Sequence, residues 1–496
     1  MKNEMQAMTD IAFTYCNPLP IPDIPRGKDD WYPFEKEMFS HEIKPKGVKT
    51  PDYRSISDPT VFYWDGRWYL YPSYGMAWVS DDFKNWKHIK TQPYCPKYSP
   101  CIIPWKGKFL LTSWFCPLYI ADSPLGPFEV LGEFTDLNGK PFTPCDPALF
   151  IDDDGRIYLF AYDHTAEENV HRIVGYELDG DDPRRVIKGP VTVIGMDPLH
   201  KAWERHGLHG QNIRSGWVEG PHMLKHGGRY YLIYAAPDTC DASYCMAVYY
   251  SDVGPLEGLV CQKRNPLTFH RSGIITGAGH GCVERGPNGT LWAFYTIACP
   301  YLHRYERRIG MDLVAVDENG ELYCPTGVTD TPQFVPGCRD GAAYEERDLG
   351  LVSLTGAVRP VASSSEEGRD AVYATDENNL SFWLPRADDD VRSLECDLAG
   401  EFETAACRIF WREVGLDYEN GVTPAPVKYI VEGYRAGKWF TLLDMRENDS
   451  EKNIDYQTFA PRLCSKVRLK IVGCGAGLRI GVIDFAVFGK MILNEK

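Results

Sequence analysis

Long apolar runs are missing from this chain. No stretch approaches the about 18 apolar residues that a membrane-spanning helix needs, and the amino terminus MKNEMQAMTDIAFTYCNPLP has no apolar core behind a basic start. The chain therefore reads as soluble, not exported and cytoplasmic. Positive charge is scarce too: 53 Lys and Arg stand against 69 Asp and Glu, a formal charge of −16 with a pI near 5.3. That balance excludes nucleic acid and anionic membrane as natural partners and leaves neutral small molecules or neutral polymers. The 16 cysteines contain no CxxC pair, so neither a zinc site nor a thioredoxin-type redox motif is supported. Scattered singly, as at Cys145, Cys245, Cys282 and Cys407, they read as buried thiols of a reducing compartment.

Extended helical periodicity is also absent, and short apolar strands broken by turn residues take its place. Aromatics make up 13% of the chain, with 29 Tyr and 13 Trp, which suits pleated surfaces and the stacking faces of sugars. At 496 residues at least two domains are expected.

An internal repeat organises the first of them. DPTVFYWDGRWYLY, SPCIIPWKGKFLLT, DPALFIDDDGRIYLF, EGPHMLKHGGRYYLIY and HGCVERGPNGTLWAFY each read as an apolar strand, a turn ending in Gly, and an aromatic strand. The turn glycines are Gly66, Gly107, Gly155, Gly228 and Gly289. Further strands follow within the copies, as in MAWVSDDFKNWKHI and MAVYYSDVGPLEGL, and a propeller blade needs about four. Five copies predict an all-β protein with a five-bladed β-propeller over residues 1–330, of which 1–52 form a Pro-rich extended arm. The Pro, Gly and charge of 331–350 predict a linker, and the strand-like runs of 351–496, without the blade pattern, predict a β-sandwich.

Counting back eight or nine residues from each turn glycine reaches Asp58, Ser99, Asp146, Glu219 and His280. If the copies surround an axis, these residues converge on it. Three carboxyl groups in one funnel can supply the proton donor and the base that glycoside hydrolysis requires, and like charges raise the pKa of one member. The apolar flanks of Glu219 in GWVEGPHML would desolvate it, as an acid catalyst requires. An isolated Asp-Pro pair is ordinarily only a turn or strand opener; the shared register sets these apart. Ser99 has no triad context, and IDDDG at 151–155 reads as a hairpin turn rather than a calcium loop.

SISDPTVFYWDGRWYLY with GMAWVSDDFKNW, then CDPALFIDDDGRIYLF and WVEGPHMLKHGGRYYLIY, resemble the three signature regions of glycoside hydrolase family 43, and the resemblance runs over roughly 15–325. It implies a five-bladed propeller acting as an inverting β-xylosidase, α-L-arabinofuranosidase, arabinanase or galactosidase on an oligosaccharide. It implies Asp58 as general base, Asp146 as the residue that raises and orients the acid, and Glu219 as general acid. Inversion implies base and acid carboxyls roughly 6.5 to 9.5 Å apart. His280 in GAGHGCV resembles the family's Gly-His motif, near which many members hold calcium or its waters; a hydrogen-bonded structural histidine is the competing role, and no cofactor is required. Arg308, with Arg307 beside it, resembles the late arginine that holds a sugar hydroxyl. Trp78, Trp114 and Phe115 are candidate sugar-stacking residues. No WMNDPNG string occurs, which argues against fructan hydrolysis.

ATDENNLSFWLP with KVRLKIVG and IGVIDFAVFG resembles the discoidin sandwich, which implies either glycan binding or a packing role, including in a homo-oligomer. The expected activity is exo release of arabinofuranose or xylose from oligosaccharides. The alternatives are an exo-acting galactosidase of the same fold and a non-catalytic carbohydrate-binding propeller.

Overall fold

A computed structural model describes residues 10–22, 56–73, 76–91, 97–165, 170–207, 210–299, 306–356, 358–417 and 420–491. Most of the expected amino-terminal arm lies outside these residues. Five four-stranded antiparallel sheets follow one another, each built from four consecutive strands, which is the five-bladed propeller. Blade I runs from Thr60–Trp64 through Arg67–Tyr71 and Met76–Ser80 to Lys87–Lys90. Blade II starts at Cys101–Trp105, blade III at Cys145–Ile151, blade IV at Glu219–His226 and blade V at Gly279–Arg285.

The second strands of the blades are heavily buried, because sheets pack on both of their faces. Arg229–Ala236 and Leu291–Ala298 are apolar almost throughout, and every residue of the latter is buried. Such continuous apolar runs belong to strands covered on two sides. Cysteines help to fasten neighbouring blades: the Leu149 amide donates to Cys101 Sγ at 3.1 Å and the Val61 amide to Cys282 Sγ at 3.3 Å. The second of these joins the last blade to the first. The described cysteines are free thiols.

The segment 331–350 has structure of its own. Gln333–Phe334 pairs with Thr14–Tyr15 near the amino terminus, and the four-residue helix Tyr344–Arg347 places the buried Arg347 over the Trp292 ring at 5.5 Å.

The carboxy-terminal domain is one seven-stranded antiparallel sheet. Its strand Ser393–Val414 pairs with both Ile454–Gly473 and Arg479–Met491, with register shifts at Asp397/Phe402 and Thr404/Ala406. Leu394 and Cys396 from one end of that strand share a core with Ile409 and Trp411 from the other, so the sheet wraps around its own interior. Phe382, Leu384, Phe410, Ile454 and Ile483 of this domain join Ile274, Ile275 and Ile297 of the propeller in one apolar cluster. Across the same junction, the buried Arg408 Nη1 donates to the carbonyls of Asn17 at 2.7 Å and Asp330 at 2.8 Å, while its Nη2 meets Asp484 at 2.9 Å. Among the described residues no helix is long and apolar enough to cross a membrane.

Candidate active site

The first strand of every blade carries one residue in the left-handed backbone region at or just before its start. These residues are Asp58 (φ 50°), Ser99 (50°), Asp146 (45°), Gly220 (52°) and His280 (39°). A non-glycine residue there is uncommon, so its recurrence in four of five copies marks a built feature. In blades III, IV and V the ladder shifts register at this point, as a bulge does when it re-aims a side chain. Asp58, Ser99, Asp146 and His280 are thereby turned inward and buried.

The fourth copy corrects the expected register, because its left-handed position is Gly220 and not Glu219. Two-residue hairpins close blades I, II and IV, as between His226 and Arg229, whereas five-residue turns close III and V. The true offset from the turn glycine is thus eight residues in the short-turn blades and nine in the others. Glu219 lies one place earlier, paired with Ala235, and still reaches the same centre.

His280 ties the centre together. Its Nε2 lies 2.9 Å from Ser99 Oγ and its Nδ1 3.6 Å from Asp58 Oδ1. A Cβ on Gly220 would come within 2.7 Å of the same imidazole, so the glycine makes room for the ring. Asp58 Oδ2 accepts from Ser73 at 2.6 Å and Ser57 at 3.0 Å, and Oδ1 faces Arg307 Nη1 at 3.3 Å. The Asp58 amide donates to Thr296 Oγ1 at 2.7 Å. Burial pushes the Asp58 carboxyl up, but Arg307, His280 and the two serine hydroxyls together outweigh it and hold the group below the usual carboxylate range.

Asp146 and Glu219 are pushed the other way. Burial is the main cause for Asp146; the Asp58 charge adds to it, while His280, the Gly220 amide and Arg307 work against it, and its carboxyl is raised. Glu219 is raised well above its ordinary value, first by burial and then by the Asp146 charge, against the pull of the Tyr244 hydroxyl. Trp217 Nε1 donates to Glu219 Oε2 at 2.8 Å and Tyr244 Oη to Oε1 at 2.5 Å. Within one buried centre the Asp58 carboxyl is thus shifted down while those of Asp146 and Glu219 are shifted up, a divergence of the kind that acid–base chemistry uses.

The remaining expected residues divide. Arg307, not Arg308, reaches Asp58. Successive residues of the strand Arg307–Val316 point to opposite faces, and Arg308 turns to the carboxy-terminal domain, bonding Asn453 Oδ1 through Nη2 at 2.5 Å and Glu306 at 3.3 Å. Trp78 is fully buried in the propeller core, its indole donating to the Pro22 carbonyl at 2.8 Å, so it offers no face to a sugar. Trp114 and Phe115 lie beside the Asp146 segment: the Phe115 amide bonds the Pro144 carbonyl at 2.8 Å, Trp114 bonds Cys145, and 49% of Phe115 is exposed. Ser73, Thr296, Trp217 and Tyr244 join the centre without any repeat signal in their positions; only the closeness of Trp217 to Glu219 hinted at its place. Among the described residues no group of three or more His, Cys, Asp or Glu side chains is arranged to hold a metal ion, and the His280 Nε2 is occupied by Ser99.

Residues 53–322 match the family described as glycosyl hydrolases family 43. A β-xylosidase of Xylanibacter ruminicola is 25% identical over 319 residues, covering 50% of this chain and 93% of that protein. Among solved structures, a thermostable family-43 glycoside hydrolase is 22% identical and covers 60% of this chain and 100% of its own, with a TM-score of 0.47. The family-43 protein BlXynB of Bacillus licheniformis is 14% identical and covers 89% of this chain and 99% of its own, with a TM-score of 0.45. With more than half of its residues matched by the family and the five blades in place, the chain belongs to glycosyl hydrolase family 43.

Proposed function

We propose that this glycoside hydrolase is an exo-acting, inverting enzyme that releases terminal arabinofuranose or xylose from oligosaccharides. The observation that carries the reading is the opposed electrostatics of Asp58 and Glu219. Asp58, held ionised by Arg307 and hydroxyl donors, suits a general base that takes a proton from water as the water attacks the anomeric carbon. Glu219, raised well above the usual carboxyl range by burial and then by the Asp146 charge, suits the acid that protonates the departing oxygen. Asp146 sits between them in role, raising the acid by its charge and accepting the Gly220 amide. A binding-only propeller has no use for a carboxyl tuned down beside one tuned up.

The name of the Xylanibacter ruminicola relative, a β-xylosidase, supports a pentoside as substrate. The exposed Phe115 ring, packed on Trp114 at 4.7 Å, offers an apolar platform for the sugar beside the Asp146 segment. The deciding experiment measures release of 4-nitrophenol from its β-D-xyloside, α-L-arabinofuranoside and β-D-galactoside, and follows the first-formed anomer by proton NMR. Turnover of a pentoside with inverted product is expected. Turnover of the galactoside alone would reassign the substrate, and a first-formed product of retained configuration would overturn the inverting reading.

A further inference from the structure

The two oxygens of Glu219 have chemically unequal partners. Oε2 accepts the Trp217 indole N–H at 2.8 Å, whereas Oε1 lies 2.5 Å from the Tyr244 hydroxyl. An indole only donates, but a phenol hydroxyl either donates or accepts. A protonated carboxyl has one oxygen that must donate, and placing that proton on Oε2 would spoil the acceptor facing the indole. On Oε1 it finds Tyr244 ready to accept. Once the proton has left, Tyr244 can reverse and donate, so both oxygens of the new carboxylate are met by donors.

The indole is held on its line. Its ring stacks on Tyr162 at 5.2 Å and 19° and lies against the buried His171 at 4.1 Å, and the Tyr162 hydroxyl is 2.9 Å from His171 Nδ1. The titratable groups around Glu219 are Asp146, Asp58 and Asp238, with Tyr244, Tyr162 and Cys145. Behind Trp217 stand His164 and His171, and His206, whose charge acts on His171, lies 3.3 Å from Asp241.

We propose that Trp217 and Tyr244 are positioning residues that assign the transferable proton of Glu219 to Oε1 and hold the carboxylate left behind. This rests on the reading of Glu219 as the general acid. In the step, the Oε1–H turns from Tyr244 to the glycosidic oxygen and gives it the proton as the C–O bond breaks with its electron pair on that oxygen. The attacking water bonds to the anomeric carbon and gives its proton to Asp58. Both donors bind the anion more strongly than the neutral acid, so their contribution grows as the proton departs.

The test compares Tyr244→Phe, Trp217→Phe and Glu219→Gln on a 4-nitrophenyl pentoside and on the matching pentose disaccharide, with full pH profiles. Removing either donor leaves the anion less stabilised, so the alkaline limb of kcat/KM is expected to move up by about one pH unit. The disaccharide rate is expected to fall at least tenfold, with a smaller loss on the activated phenol. A limb that stays in place in folded Tyr244→Phe, while Glu219→Gln spares the phenol substrate and not the disaccharide, overturns the positioning role and leaves the acid intact. Equal losses on both substrates in Glu219→Gln overturn the acid reading itself. Should Trp217→Phe fail to fold, Tyr244→Phe decides, since it removes a single oxygen.

Discussion

Gly220 lies against the imidazole of His280 so closely that a Cβ would sit 2.7 Å from both Cγ and Cδ2. The same glycine has φ 52°, and its amide bonds Asp146. Gly220→Ala therefore meets two penalties: a left-handed backbone that costs an L-residue roughly 1–2 kcal/mol and a ring that cannot shift without disturbing Ser99 and Asp58. The expected result is a loss of at least about tenfold in kcat/KM, because small displacements of catalytic groups are costly. Steady-state kinetics alongside thermal unfolding checks it; native activity in a folded variant would show that the ring has room to move.

Arg307 and Arg308 are neighbours with separate tasks, and the difference is measurable as a pH shift. Arg307 lowers the Asp58 carboxyl, so Arg307→Met should raise it. The base proposed at Asp58 must be ionised to act, so the acid limb of kcat/KM should move to higher pH, with activity lost first at the acid end. Arg308→Met should leave that limb in place, since the Arg308 side chain bonds Asn453, Glu306 and the Arg307 carbonyl rather than Asp58, and should lower the unfolding temperature instead. Identical pH profiles for Arg307→Met and the parent would remove Arg307 from the base's environment.

Much of this centre is legible in the primary structure, and the misplacements have identifiable physical origins. Asp58, Ser99, Asp146 and His280 are readable because each opens a blade eight or nine residues before a turn glycine. Glu219 matches their register on paper because two hairpin lengths occur among the blades, and an offset of eight or nine residues absorbs the difference. The five blades were visible for the same reason that their chemistry was: strand, turn and strand recur. Choosing between Arg307 and Arg308 requires knowing which face of a strand looks at the axis. Both faces of that strand are covered, one by the funnel and the other by the carboxy-terminal domain, so no polar alternation marks them. Trp78 looked like a platform because aromatic content alone does not separate a core indole from a sugar-facing one. Tyr244 came from a turn before the third strand of blade IV, where the repeat carries no marker.

The role of Asp58 can be separated from that of a nucleophile. Asp58→Asn removes the group that the proposed mechanism uses to activate water, so a loss on the order of 10²–10⁴ is expected on every substrate, whatever the leaving group. Added azide should yield no glycosyl azide of retained configuration, because an inverting base forms no covalent intermediate. Mass spectrometry and NMR of the products check this. Recovery of a retained azide adduct would make Asp58 a nucleophile and change the mechanistic class.

The junction between the two domains supplies the last prediction. Arg408 is buried with its guanidinium shared among the Asn17 and Asp330 carbonyls and the Asp484 carboxylate. Burial pushes Asp484 up to about 6 even with the arginine beside it. Arg408→Met strands that carboxyl and leaves the Asn17 and Asp330 carbonyls to the weak Cys16 thiol donor, and breaking one side of a buried pair costs about 3–5 kcal/mol. A raised folded-state pKa means that the unpaired carboxyl is tolerated while protonated and costs stability once ionised. The defect should therefore be smallest at low pH and deepen as pH rises through the folded pKa, which loss of Arg408 lifts further. Adding Asp484→Asn should recover part of the stability and flatten that pH dependence, because the stranded charge is gone. Calorimetry of the parent, the single and the double variant from pH 5 to 8 reads the effect, and an Arg408→Met deficit that is constant across this range would show that Asp484 is not the group left uncompensated.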